Sequence, residues 1–274
     1  MIMKLEIGYN QPIEIRNYTY SFEPLTGKRI LYISDLHYHR LSRQRVGRHI
    51  RQILEINPDI LLLGGDYVDT PFGLSNFQHF VESVAHIPLF AIAGNHDTPY
   101  LRRIRQIVEN AGSTWLHNDS TTFKLATQRI RIDGTRPSAS SRPNASSSPS
   151  ARSRPSARSR PAATSTDAPP QPIPTDTPPN FSILCLHHPI DVRPFAHHYN
   201  LIFAGHLHGG QIVLWQTPGG LYPGRWLYPL NQLVLDYSPC RYFISKGLGD
   251  TLPIRYNCRR DAILITLEPT SNTP

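Results

Sequence analysis

Three runs in the first hundred residues, KRILYIS, DILLLGG and PLFAIAG, have apolar interiors with no polar alternation. A strand of that kind is tolerated only where both of its faces are covered. Between and after the runs the apolar positions take up a helical period: Val46, Ile50, Ile53 and Leu54, then Phe77, Phe80, Val81 and Val84, then Leu101, Ile104, Ile107 and Val108. Ser42 and Ser75 stand where helix N-caps belong, and Pro99 where a first helical turn belongs. Buried strands alternating with one-sided helices predict an α/β fold with a mainly parallel sheet covered on both faces. Beyond Trp115 the strand signals crowd together, as TTFKLA, RIRID, FSILCL, NLIFAG, QIVLW, RYFISKG and AILITLEP.

Residues Gly134 to Asn180 depart from this pattern. They are rich in Pro, Ser and Arg, and Ile173 is their only apolar residue larger than Ala. Such a stretch cannot bury enough surface to offset the entropy of ordering it, so 134–180 is expected to be a disordered insertion within a single domain spanning 1–274. It carries six Arg against Asp167 and Asp176, so half of the net charge of +8 lies inside it. The remainder is too weakly basic to argue for nucleic acid as the partner. Cys185, Cys240 and Cys258 have no metal-ligand spacing, and an odd number does not suit a secreted disulfide framework. No stretch approaches the ~20 apolar residues of a membrane span, and the start, MIMKLEIGYNQP, lacks the apolar core of a signal peptide. A cytoplasmic setting is the expectation.

Each buried run ends in polar residues of one restricted kind. YISDLHYH supplies Asp35 and His37, LLLGGDYVD supplies Asp66 and Asp69, and AIAGNHD supplies Asn95, His96 and Asp97. LCLHHP then supplies His187 and His188, and FAGHLHGG supplies His206 and His208. Any one cluster reads as turn chemistry. Turn chemistry does not ask for imidazole five times over, and in open α/β sheets ligands bind outside the carboxyl ends of the strands. Carboxylate, amide and imidazole without thiolate suit Mn²⁺, Fe²⁺, Zn²⁺ or Co²⁺. So many candidate ligands exceed one tetrahedral ion and divide between two that share a carboxylate. With LIFAGH read as an extended segment, alternate side chains share a side, so His206 and His208 are expected to converge with Leu207 turned away.

DLH, GDYVD, GNHD, the first His of LHHP, and GHLH match in order the motifs of the calcineurin-like metallophosphoesterases, and the sequence resembles that family from about Lys28 to Leu267, the insertion apart. GGQI and ISKGLGDTLPIR further resemble a bacterial branch with membrane-associated phosphodiesterases and UDP-2,3-diacylglucosamine pyrophosphatases. The resemblance implies a sandwich of two mixed β-sheets flanked by α-helices. It implies one metal on Asp35, His37 and His208, a second on Asn95, His187 and His206, and Asp66 bridging the two. His96 would protonate the leaving oxygen, Asp69 would orient it, and His188 would be an ordinary neighbour. The implied reaction is cleavage of a phosphodiester or pyrophosphate bond by a metal-bound hydroxide, with Mn²⁺ the first metal to consider. A lipid-linked nucleotide is the implied substrate; a nuclease or a phosphoprotein phosphatase of the same fold is the alternative. A non-catalytic scaffold is disfavoured because all seven ligand positions and His96 are filled.

Branch members often carry an N-terminal membrane anchor that this sequence lacks, so any membrane contact is expected to be peripheral, at the inner face. Tyr222, Trp226 and Tyr228 around Arg225 suit such an interface or a nucleotide-lipid, or else a core. Arg43, Arg45, Arg48, Arg51, Arg102, Arg103 and Arg105 read as solvated helix faces or a basic surface. Asn200 stands where the family commonly has Asp, which puts in question the support around the ligands' outer shell.

Overall fold

The computed structural model describes residues 5–9, 11–135, 179–250 and 252–270. With strands numbered in chain order, one six-stranded sheet runs β2 (Glu14–Ser21), β16 (Asp261–Glu268), β3 (Arg29–Ile33), β4 (Ile60–Leu63), β5 (Leu89–Ile92) and β6 (Thr114–Leu116). The other runs β13 (Val234–Tyr237), β14 (Cys240–Ile244), β10 (Leu201–Ala204), β9 (Phe181–Cys185), β8 (Gln128–Gly134) and β7 (Asp119–Leu125). β1 (Leu5–Ile7) pairs with β15 (Ile254–Tyr256), and β11 (Val213–Thr217) with β12 (Gly220–Pro223). Both large sheets are mixed. β3 to β6 are parallel, with β16 antiparallel to β3, and β14, β10, β9 and β8 are parallel between antiparallel edges β13 and β7.

The two sheets face each other across a core that explains the unalternating strands. Ile30, Tyr32, Ile60, Leu62, Phe90 and Ile92 point inward to meet Ile132, Phe181, Ile183, Leu201, Phe203 and Phe243 of the opposite sheet. The intervening residues Leu31, Ile33, Leu61, Leu63, Leu89 and Ala91 point outward under three helices, α1 (Arg43–Ile56), α2 (Leu74–Val84) and α3 (Leu101–Asn110). The outer face of the second sheet packs Leu184, Ile202, Tyr242 and Ile244 under Val192, Ala196 and Tyr199. The architecture is therefore α/β, with two mixed sheets and flanking helices, as the resemblance implies.

Local expectations fail at three places. Ser42 does not cap α1 with its side chain; its hydroxyl accepts from the His39 amide at 3.0 Å and from Arg45 at 2.9 Å. α2 begins at Leu74 after Gly73, which puts Ser75 inside the helix. Leu54 is 43% exposed on the far side of α1, because Val46 and Ile53, with Ile50 and Ile56 beside them, make the contact with the core.

Of the segment 134–180, residues 136–178 lie outside the described residues. Its expected boundary is corrected at both ends. Gly134 closes β8 opposite Cys185, Thr135 donates to the Cys185 carbonyl at 3.2 Å, and Asn180 donates to the Arg129 carbonyl at 3.1 Å. The segment therefore leaves at the carboxyl end of β8 and returns at the amino end of its parallel neighbour β9.

Phe203 is fully buried, stacked 4.9 Å from Tyr32 of the facing sheet and 5.6 Å from Phe243. Truncating it to Ala is expected to cost about 3–5 kcal/mol in denaturant unfolding, through lost burial and the cavity left behind. Leu54→Ala on the exposed side of α1 should cost less than about 0.5 kcal/mol in the same measurement.

Candidate metal centre

The carboxyl ends of parallel strands from both sheets meet at one edge of the sandwich. Asp35 and His37 follow β3, Asp66 follows β4, Asn95 and His96 follow β5, His187 follows β9, and His206 and His208 follow β10. The backbone there is left-handed far more often than non-glycine residues tolerate: φ is 55° at Asp35, 44° at His37, 56° at Asp66, 70° at His206 and 49° at His208. Such residues persist only where their surroundings over-determine them. Glycines make room for the approach of the strand ends. A Cβ at Gly94 would fall 2.1 Å from Asp66 Oδ1, and one at Gly205 would fall 2.6 Å from Asp35 Oδ2.

This backbone corrects the geometry expected for His206 and His208. β10 stops at Ala204, so the pair does not lie on an extended segment with alternating faces. Left-handed residues at 206 and 208 flank a right-handed Leu207 and send the imidazoles to different neighbours. His208 joins Asp35 and His37, and His206 joins His187 and His188, each trio with its ligand atoms within 4.8 Å of one another. Asp66 lies within the same distance of Asp35 and His187, which links the two trios.

Three of the imidazoles are anchored through Nδ1 and turn Nε2 inward. His37 Nδ1 lies 2.5 Å from Asp69 Oδ1, His187 Nδ1 lies 2.8 Å from the Gly64 carbonyl, and His208 Nδ1 lies 3.0 Å from the Gly249 carbonyl and 3.2 Å from Asp250 Oδ1. An acceptor at Nδ1 fixes the proton there and leaves the Nε2 lone pair for a cation. The inward atoms face one another: His37 Nε2 is 3.3 Å from His208 Nε2 and 3.9 Å from Asp66 Oδ2, and His208 Nε2 is 3.7 Å from Asp35 Oδ1. His187 Nε2 is 3.2 Å from Asp66 Oδ2 and 2.9 Å from Asn95 Oδ1. Opposed imidazole nitrogens around shared carboxylates make a nitrogen-and-oxygen set that fits two divalent cations.

The charges agree with that fit. Asp66 is almost fully buried, and burial alone would raise its carboxyl, but His187 and His37 outweigh burial and hold it far below the usual carboxylate range. Burial would likewise depress His187, yet Asp66 pushes it up to about 9. A proton on His187 Nε2 thus occupies the place a cation would take, and a cation bound there would displace it. His206 is pushed down to about 4, by burial and then by His187, and keeps its lone pair.

His96 is the most open of the clustered imidazoles, its side chain 38% exposed. Its Nδ1 lies 3.3 Å from Asp69 Oδ1, a contact that raises its pKa against the opposing effect of burial. Asp69 therefore holds His37 and His96 with one oxygen. His188, expected to be an ordinary neighbour, lies with its ring 3.9 Å from that of His206. Asn200 stands away from the centre, at the start of β10, where it accepts from the Ser182 amide at 2.8 Å and donates to the Tyr20 hydroxyl at 3.2 Å. In place of the Asp that the resemblance implies, Asn200 therefore bears on strand pairing rather than on the clustered imidazoles.

Two carboxylates escaped sequence reasoning as supports. Asp97 was visible in GNHD without a role; fully buried, it accepts the backbone amides of Asp66, Tyr67 and Gly94, each at 2.8 Å. Asp250 lies in the ISKGLGDTLPIR stretch. Beyond His208 it pairs with Arg255 and Arg260, each at 2.6 Å; its hydrogen bond to His208, and then Arg255, keep its carboxyl well below the usual range despite burial.

The centre opens onto a cleft of about 460 Å³. Asp66, His96, His206 and His208 form one wall, and Ile212, Pro223, Leu227 and Tyr228 the other, the last two from α4 (Gly224–Leu227) and the residue after it. The aromatic cluster beside it is not core. Trp226 is 70% exposed, and it meets Trp215 and Tyr222 with ring centroids 5.7 and 5.9 Å away.

Comparison with known proteins agrees with this geometry. The family model for calcineurin-like phosphoesterases matches residues 28–210, more than half of the chain. The phosphodiesterase YaeI of Escherichia coli K12 is 25% identical over 252 residues, covering 87% of this chain and 82% of YaeI. The uncharacterized metallophosphoesterase YkoQ of Bacillus subtilis is 23% identical, covering 81% of this chain and 76% of its own. The UDP-2,3-diacylglucosamine pyrophosphatase LpxG of Chlamydia trachomatis is 39% identical over 84 residues, which is 28% of this chain and 24% of LpxG. On these grounds the chain belongs to the calcineurin-like phosphoesterase family and is a metal-dependent phosphoester hydrolase.

Proposed function

We propose that the cleft hydrolyses a phosphodiester or pyrophosphate bond in an amphiphilic, nucleotide-linked lipid, with two divalent cations held between the ends of the two sheets. The observation that carries this reading is the set of inward Nε2 atoms, those of His37 and His187 facing Asp66 and that of His208 facing Asp35, each anchored at its opposite nitrogen. Asp35, His37 and His208 would hold one cation, Asn95, His187 and His206 the other, with Asp66 shared between them. When bound, such a pair supplies an activated water near neutral pH and withdraws charge from the phosphoryl oxygens. Mn²⁺ is the cation to supply first, with Fe²⁺, Zn²⁺ and Co²⁺ also suited to these donors.

The chain's own groups do the rest. Asp69 keeps His96 oriented and favours its protonated form, so Nε2 can donate to the departing oxygen at the mouth of the cleft. Asp97 fixes the turn that carries Asp66 by accepting its amide, and Asp250 fixes the ring of His208. The apolar wall of Ile212, Leu227 and Tyr228 suits the lipid portion of a substrate. Exposed Leu214, Trp215 and Trp226 extend that wall outward as a peripheral contact with a membrane surface. Among the described residues no helix is long and apolar enough to cross a membrane, which makes a surface contact the form of attachment proposed. The substrate named by LpxG supports the nucleotide-lipid assignment.

Asp66→Asn should abolish turnover and remove most bound metal, read by elemental analysis of the purified protein; full metal content with full turnover would overturn the bridging role. His96→Ala should keep its metal while turnover falls about 10²–10⁴-fold on an alkyl phosphodiester. On a p-nitrophenyl diester, whose leaving group needs no proton, the loss should be much smaller, and equal losses on the two would overturn the acid role. In a panel with Mn²⁺, UDP-diacylglucosamine should exceed single-stranded DNA and phosphopeptides. Trp226→Ala should lower turnover on the lipid substrate in vesicles relative to a soluble aryl diester; an unchanged ratio would remove the membrane contact.

A further inference from the structure

A second cavity, of about 310 Å³, lies between the chain around Tyr9 to Ile13, one face of α1 and Arg260. It shares no lining residue with the cleft at the metal centre. Arg45, Arg48, Arg51 and Arg260 line it against one acid, Glu55. The positions 45, 48 and 51 repeat at three residues, which puts them on one helical face.

Arg45 is the unusual member. It is only 4% exposed, yet among the described residues no carboxylate pairs with it. Its Nη2 donates to the His37 carbonyl at 2.5 Å and to Ser42 Oγ at 2.9 Å, whereas Nε and Nη1 have no acceptor in hydrogen-bonding geometry among the described residues. Its other support is aromatic: the guanidinium lies 4.0 Å from the centre of the Tyr9 ring, and Arg260 lies 4.5 Å from the same ring. A buried cation without a counter-charge is unfavourable, and a ring face offsets only part of that. Arg260 differs, because Glu6 and Asp250 neutralise it. His49, also in the wall, is fully buried and held neutral by burial and by Arg45. The excess positive charge of the cavity therefore comes from Arg45, Arg48 and Arg51.

We infer that this cavity binds a phosphoryl group, separate from the one hydrolysed at the metal centre. Guanidinium groups suit tetrahedral oxyanions, offering several donors in a fixed plane. Arg48, part-exposed, and Arg51, exposed, supply the outer donors, and the anion supplies the counter-charge that Arg45 lacks. Arg48 also donates to the Tyr9 carbonyl at 2.5 Å, which ties the N-terminal segment to the same wall.

Calorimetric titration of the metal-loaded full chain with inorganic phosphate tests this. Two classes of site are expected, one lost in Asp66→Asn and the other weakened tenfold or more in Arg48→Gln/Arg51→Gln, which should unfold at the same temperature as the parent protein. Loss of the Asp66-dependent class alone would count against the metal centre, not against this cavity. Vesicles of phosphatidylcholine with and without phosphatidic acid identify the source of the group. Arginine-dependent binding to phosphatidic acid alone assigns a lipid headgroup, and arginine-dependent binding of free phosphate assigns a soluble ligand. No arginine-dependent binding of either probe overturns the inference.

Discussion

Asp66 is a carboxylate with almost no contact with water, set where the ends of two sheets meet, and the surrounding groups compensate its charge. His187 comes from the opposite sheet to within 3.2 Å of Oδ2, the His96 amide donates to Oδ1 at 2.8 Å, and Asp97 holds the turn from below. An uncompensated carboxylate at this depth would protonate or pull water inward. The imidazoles on both sides are therefore structural as well as chemical. The attraction between His187 and Asp66 ties the ends of the two sheets in an arrangement that a pair of cations would complete.

The compensation acts through connected layers. His37 and His208 are each gripped at Nδ1, by Asp69 and by the Gly249–Asp250 turn, and Asp250 is in turn clamped by Arg255 and Arg260. Arg260 then reaches the wall of the arginine-lined cavity, and Arg45 reaches the same loop from α1 through the His37 carbonyl. Groups far apart in the chain thus converge on one loop, residues 35–39, from the C-terminal segment and the first helix.

The sequence made the inner residues legible for a physical reason. Apolar strands with covered faces must end somewhere, and polar clusters at those ends stand out against their own strands; the resemblance then picked Asp35, His37, Asp66, Asn95, His187, His206 and His208 out of those clusters. The supports were not legible in the same way. Asp250 sits in a loop whose partner, His208, is distant in sequence, and nothing local distinguishes it from a turn residue. β2 was missed because Arg16 reads as polar, although Asp261 at 2.6 Å lets it be buried. Arg45 read as a solvated helix position, since a burial that depends on Tyr9 and the His37 carbonyl has no helical period.

Left-handed backbone was the other feature beyond sequence reasoning, and it explains why the centre needs so large a scaffold. Each non-glycine residue in that region costs about 1–2 kcal/mol relative to a right-handed turn, and five of the seven proposed ligands adopt it. Those costs together are comparable with the whole net stability of an ordinary domain, so a small or loosely packed fold would relax them by letting the strand ends extend. Here β4, β5, β9 and β10 are buried along their whole lengths and β3 from Ile30 onward, and their ends cannot extend without disturbing the core between the sheets. The unalternating apolar strands and the imidazole clusters are thus one device: the first holds the chain rigid up to the last strand residue, and the second uses that rigidity to turn sharply and present ligands.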